Sequence, residues 1–114
     1  MITVDKSTFE DEVLNSNEIV VVEFWSQTCE PCKELLPTLE CLDKIYGRKI
    51  KFCEIDTKKA TRLAIKEKVV GLPAIVVYKD GKKVDEVIKE GATKENIEEK
   101  IGRASCRERV SSPV

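Results

Sequence analysis

Hydrophobic and polar positions along the chain alternate between two periods. Ile2 to Val4 reads as a short strand, and Ser7-Thr8-Phe9-Glu10 has the spacing of a capping box for a helix running to about Asn15. Ile19 to Trp25 is too uniformly apolar for an exposed strand and suits the middle of a sheet covered on both faces. From Cys32 onward Leu35, Leu39, Leu42 and Tyr46 recur at helical spacing, Gly47 stops the helix, and Pro37 inside it predicts a kink. Ile50 to Ile55 is the next strand, after which Asp56 or Thr57 caps a helix with Ala60, Leu63, Ala64 and Ile65 facing inward. Ala74–Tyr78 and Val84–Ile88 form a hairpin across Lys79-Asp80-Gly81-Lys82, where Gly81 supplies positive φ. Thr93 caps a last helix with Ile97 and Ile101 turned inward. Strands separated by helices and closed by a hairpin predict a three-layer α/β sandwich around a mixed central sheet.

Composition narrows what this fold can do. The 114 residues suit one core, and 41% hydrophobic with 36% charged is ordinary for a globular domain. A net charge of −1 without a basic patch gives no case for nucleic acid or a membrane surface. No run has the length of a membrane span and the first residues do not read as a signal peptide, so a reducing, cytoplasmic setting is expected. There, five cysteines read as catalytic, metal-binding or buried thiols before structural disulfides. The absence of histidine removes Cys-His and Ser-His catalysis and histidine-ligated metal.

The end of the chain stands apart. Ile101 to Val110 can be encoded by ATC-GGA-AGA-GCG-TCG-TGT-AGG-GAA-AGA-GTG, which resembles a short-read sequencing adapter continued in frame. Residues 1–101 are therefore read as the domain, and 102–114 as an adapter-derived segment or a disordered basic tail. Setting that segment aside removes Cys106 from consideration.

The candidate chemistry lies in Cys29-Glu30-Pro31-Cys32, between the apolar strand and the amphipathic helix. At a helix N-terminus, unpaired backbone N–H groups and the macrodipole favour a thiolate at Cys29. Cys32 lies about one turn on, within reach of a disulfide that opens and closes without backbone movement. Pro31 tolerates the missing N–H of the first turn. A carboxylate at Glu30 opposes the dipole and moderates the thiolate preference. The rival reading is half of a zinc site completed by Cys41 and Cys53. Those two lack the short knuckle spacing of four-cysteine sites, and small buried hydrophobes are the simpler account of them.

Phe24-Trp25 before Cys29-x-x-Cys32-Lys33, Pro37 in the helix, Gly71-Leu72-Pro73 before a strand, Gly81 in the hairpin and Gly91 before the last helix together resemble the thioredoxin family, from about Met1 to Ile101. The resemblance implies a protein-disulfide reductase with no bound cofactor and no metal, since the cysteines carry the electrons. Its implied partners are a thioredoxin reductase and disulfide-containing clients, and it is implied to work as a monomer. Cys29 becomes the exposed nucleophile and Cys32 the shielded resolving thiol. Pro73 is expected to follow a cis bond and pack against the disulfide, with the Leu72 backbone pairing with the client. Trp25, Thr28, Glu30, Pro31 and Gly91 complete the expected docking surface, and Glu23 is the expected buried proton acceptor. The alternative for Glu23 is an edge carboxylate with its head in water.

Departures from the usual family pattern bear on potential and partner choice. Thr28 stands where a second tryptophan is common, Glu30-Pro31 replaces Gly-Pro, Glu23 replaces an aspartate, and Phe52 occupies a position where some relatives carry lysine. Glu-Pro spacers resemble those of thioredoxins beside amino-acid reductases of anaerobic bacteria, which makes a dedicated electron carrier one alternative. A redox-inactive thioredoxin-fold binding or chaperone module is the other.

Overall fold

The computed structural model describes the backbone of residues 1–111 and the side chains of residues 1–104. The readings that fall on the Cys106 side chain and on residues 112–114 lie outside the described residues.

β1 (Ile2–Val4), β2 (Ile19–Trp25), β3 (Ile50–Asp56), β4 (Ala74–Lys79) and β5 (Lys82–Ile88) form one mixed sheet in the order β1-β3-β2-β4-β5. β3 pairs parallel with β1 and β2, while β4 pairs antiparallel with β2 and β5. The central β2 is buried from Ile19 through Phe24, as its unbroken apolar run predicts.

Alternate side chains of the strands enter two separate cores. On one face Val20, Val22, Phe24, Cys53, Ile55 and Val76 meet Val13 of a short helical segment (Glu10–Leu14) with Phe9 just before it, and Ala64 of α2 (Thr61–Lys66) with Ala60 just before it. Phe9 anchors that layer, 5.8 Å edge-on from the Tyr78 ring and 6.2 Å from Phe24. On the other face Val21, Phe52, Ile75 and Val77 meet Leu35, Leu39 and Leu42 of α1 (Glu30–Tyr46) and Ile97, Ile101 and Ala104 of α3 (Lys94–Ser111). This is the expected three-layer α/β sandwich.

Local details differ from the sequence reading in instructive ways. The first helical segment is entered through Asp5 rather than a Ser7/Glu10 box: Asp5 Oδ1 accepts from the N–H groups of Ser7 (2.8 Å) and Thr8 (3.0 Å), and Thr8 Oγ1 accepts from the Asp5 N–H (2.9 Å). α2 starts after Ala60, because Asp56 caps only the preceding turn through the Lys58 N–H at 2.9 Å. Ile65, expected inward, is 70% exposed on this one-and-a-half-turn helix, whose apolar contacts come from Ala60, Leu63 and Ala64. α1 runs unbroken through Pro37. Gly47 ends it in a right-handed conformation, where a side chain would collide with the Asp43 carbonyl. In the hairpin both Asp80 (φ 53°) and Gly81 (φ 78°) are left-handed, the type I′ geometry that matches strand twist. α3 begins at a Thr93 cap, with Thr93 Oγ1 accepting from the Asn96 N–H at 3.2 Å. It continues past Ile101, with Ala104 buried and its carbonyl accepting from Lys79 Nζ at 3.3 Å.

Candidate active site

The strand register gathers the sequence-flagged residues at one end of the sheet. Phe24 lies opposite Ile55 and Ala74, Ala74 opposite Ile88, and Val4 opposite Ile55. The C-terminal ends of β1, β2, β3 and β5 and the start of β4 therefore share one edge. The Ser26–Cys29 loop, the Leu72–Pro73 bond and the Lys89–Gly91 turn all open from it.

Cys29 is the N-cap of α1, in an extended conformation, with its N–H donating to the Ser26 carbonyl at 3.1 Å. Its Sγ accepts from the Cys32 N–H at 3.2 Å, so sulfur occupies the place a Ser or Asp oxygen takes in an ordinary cap. Cys29 and Cys32 form a disulfide with Cα atoms 5.3 Å apart, inside the usual span for such a bond. Cys29 is half-buried and Cys32 fully buried. The backbone N–H that meets Cys29 Sγ in the disulfide is placed to stabilise a thiolate there after reduction.

Around the pair, Thr28, Glu30 and Pro31 are exposed. Ser26 and Thr28 hydroxyls lie 3.2 Å apart, and Glu30 pairs loosely with Lys33 at 3.7 Å on the surface. Trp25 is half-buried, and its carbonyl accepts from both the N–H (2.8 Å) and the hydroxyl (3.0 Å) of Thr57, which ties the loop to the end of β3. The Leu72–Pro73 bond is cis, as the resemblance implies. The Pro73 carbonyl accepts from the N–H of Lys89 at 2.8 Å. Lys89 is itself a non-glycine with positive φ (52°), a conformation that pattern reading does not foresee. Gly91 faces open space, and its carbonyl accepts from the Asn96 amide at 2.9 Å. A cleft of about 250 Å³ lined by Thr57, Ala64, Val69, Val70, Gly71 and Leu72 adjoins the cis bond.

Glu23 lies beneath this edge on the α1/α3 face of β2, 0% exposed, with both carboxyl oxygens unpartnered. The edge-carboxylate alternative is thereby excluded. Burial, and secondarily the charge of Glu54 on β3, push its carboxyl up to about 8. Glu54 is raised too, by burial first and then by Glu40. The Trp25 indole N–H is buried without a formed hydrogen bond; it lies near enough to Glu54 to oppose that rise, but outside bonding geometry. The sequence pattern alone does not single out Glu54. The available signal was its parity with Phe52 in β3, which turns it to the same face as α1.

The two remaining described cysteines are not gathered here. Cys53 is buried in the opposite core, its thiol pushed up to about 11 by burial, and Cys41 is exposed on α1. The zinc alternative needs both beside Cys29 and Cys32, and Cys53 lies on the wrong side of the sheet. No helix among the described residues is long and apolar enough to cross a membrane.

Comparison with known proteins spans nearly the whole chain. The family model described as Thioredoxin matches residues 1–103. The chain is 55% identical over 98 residues to a thioredoxin of Acetoanaerobium sticklandii, covering 86% of this chain and 93% of that one. It is 44% identical over 103 residues to a thioredoxin of Peptoclostridium acidaminophilum, covering 90% and 94%. Thioredoxin X of Arabidopsis thaliana chloroplasts is 39% identical over 99 residues, 86% of this chain and 54% of that one. Thioredoxins as a family take electrons from a thioredoxin reductase and pass them to disulfide-containing substrates. A cysteine pair that can open and close at a helix cap, within a family match over nearly the whole chain, makes this protein a member of the thioredoxin family and a thiol–disulfide oxidoreductase that reduces protein disulfides.

Proposed function

We propose that Cys29 attacks the client and Cys32 resolves the mixed disulfide, with Glu23 as the proton acceptor for Cys32. The observation that carries this reading is the unequal burial of two bonded cysteines at the start of α1. In the first step the Cys29 thiolate forms a bond to one client sulfur, and the other client sulfur leaves with the bonding pair. In the second, Cys32 gives its proton to the Glu23 carboxylate and attacks Cys29 Sγ. The Cys29–Cys32 bond forms, the Cys29–client bond breaks, and the client sulfur departs as a thiolate. Two electrons have moved to the client, leaving the pair oxidised. The raised affinity of Glu23 for a proton suits it to this task, as the acceptor of a thiol proton must bind it well in a dry site.

Trp25, Thr28, Glu30, Pro31, Leu72, Pro73 and Gly91 form the docking surface in this reading. Exposure of the loop residues, open space over Gly91 and the cleft beside Leu72 support it. A thioredoxin reductase returns the pair to the dithiol, in the cytoplasm, with the protein acting as a monomer. Residues 1–101 are the working domain, and 102–114 take no part in the exchange. Reduction of insulin by dithiothreitol, accelerated by catalytic amounts of the protein, tests the activity. The same assay driven by NADPH and a bacterial thioredoxin reductase tests the partner. Turnover with dithiothreitol but not with the reductase would contradict the proposed recycling and favour a dedicated system.

A further inference from the structure

Glu23 does not stand alone on its face of the sheet. In the parallel pairing of β2 with β3 its Cα lies opposite that of Glu54, and neighbouring strands are about 4.8 Å apart, so two carboxyl side chains rise side by side. Their surroundings on this face are apolar. Val21 and Phe52 precede them along the two strands, and Ile75 faces Glu23 from β4. α1 covers the face with Leu35, Leu39 and Leu42, and α3 with Ile97 and Ile101. Past the pair toward the edge come Trp25 and Asp56, themselves in register. Cys32, buried on α1, carries no proton while it is in the disulfide.

The two acids differ in access. Glu23 is sealed, and Glu54 is the neighbouring charge that acts on it. Glu54 is half-buried and feels Glu40 of α1 and the Met1 amine at the surface. Two carboxyls side by side in a poorly solvated site resist ionising together, so the more accessible one gives up its proton first and its charge then opposes ionisation of the other.

We propose that Glu23 and Glu54 act as a charge-coupled carboxyl pair of which only one readily ionises, with Glu54 the positioning residue that decides when Glu23 is free to accept the Cys32 proton. This rests on the reading of Glu23 as the acceptor and adds a partner that governs it. With Glu54 ionised, Glu23 keeps its proton up to mildly alkaline pH. Neutralising Glu54 releases Glu23 to ionise, and therefore to serve Cys32, at lower pH.

Glu54→Gln in the full chain tests this, because it removes the charge and keeps the shape. The Glu23 carboxyl is followed by 13C NMR of glutamate-labelled protein, and resolution by stopped-flow release of client from a preformed Cys29 mixed disulfide across pH 5 to 10. The expected result is a Glu23 midpoint lowered by about one pH unit, a shift of the size that one nearby like charge produces. The resolution profile moves toward acid by the same amount, while Glu54→Asp stays close to the parent. A Glu54→Gln midpoint and profile that coincide with the parent overturn the pair. Glu23→Gln, run alongside, separates the two readings. If it abolishes the pH dependence of resolution while Glu54→Gln changes nothing, the acceptor stands and the pair fails. If Glu23→Gln leaves resolution unaltered, the acceptor fails and takes the role of Glu54 in the exchange with it, even where the carboxyl midpoint has shifted.

Discussion

Alternate residues of β2 enter two different environments. Val20, Val22 and Phe24 join a core whose polar groups reach its rim, as where the Tyr78 hydroxyl donates to Glu67 at 2.6 Å. One residue out of step, Val21 and Glu23 enter the core beneath α1, and there a carboxyl is sealed among leucines and isoleucines with no partner for either oxygen. The first face follows the rule that buried polar atoms find hydrogen bonds, and the second breaks it at two positions of β2, Glu23 and Trp25. That break lies under the helix whose cap is Cys29. The contrast teaches that one face is built for cohesion, while the other gives up some cohesion to hold a titratable group beneath the helix that carries the cysteine pair.

Matched thiol substitutions should open the widest gap between the faces. Cys29→Ser should reduce insulin-reductase activity to the uncatalysed background with little change in thermal midpoint. Cys53→Ala in the opposite core should keep activity and lower stability by about 1–2 kcal/mol, the scale of a small buried truncation, as measured by urea unfolding. Iodoacetamide applied to the native, oxidised protein should label exposed Cys41 and spare Cys53, whose thiol is both buried and held protonated.

A second contrast concerns pH. Folding raises the Glu23 carboxyl from an ordinary 4.5 to about 8, so between those values the folded protein holds a proton that the unfolded chain releases. Stability therefore falls as pH rises through this window, by at most about 5 kcal/mol. Glu23→Gln should flatten that fall and leave a variant more stable than the parent at pH 8 to 9. Denaturant midpoints at pH 5, 7 and 9 measure it. An unchanged slope would mean that Glu23 is not the group responsible.

Phe24→Ala, one residue away but on the cohesive face, should behave in the opposite sense. It should cost about 3–5 kcal/mol at every pH, since it opens a cavity against Phe9 and titrates nothing. The smallest effect is expected at Glu30, which is exposed and partly offset by Lys33. Glu30→Gly should lower the Cys29 thiol midpoint slightly, as seen by thiolate absorbance at low salt, and added salt should erase the difference.

Much of the fold is legible along the chain because its signals are local. The unbroken apolar run of β2 announces a covered strand, and Asp80-Gly81 announces the hairpin, since only certain residues accept left-handed turns. The cysteine spacing announces the site, because a strand-to-helix turn fixes where both sulfurs go. What was missed depends on relations between segments. Ile65 has the spacing of an inward residue, but α2 is too short for its whole apolar stripe to be covered. Asp5 captures the entry to the first helical segment because its carboxylate reaches two N–H groups at once. Glu54 shares the face of Phe52 by parity, but its place opposite Glu23 depends on the register of β2 against β3, a relation between two distant segments. Ala104 of α3 lies against the same core as Ile97.

The division of labour between two bonded sulfurs is the central claim, and trapping tests it most directly. Reduced Cys32→Ser and Cys29→Ser proteins are each mixed with an oxidised client, and the products are read by non-reducing electrophoresis and intact mass. The account predicts a stable mixed disulfide through Cys29 in Cys32→Ser and no covalent product in Cys29→Ser. Capture by Cys29→Ser with none by Cys32→Ser would reverse the assigned roles and contradict the account.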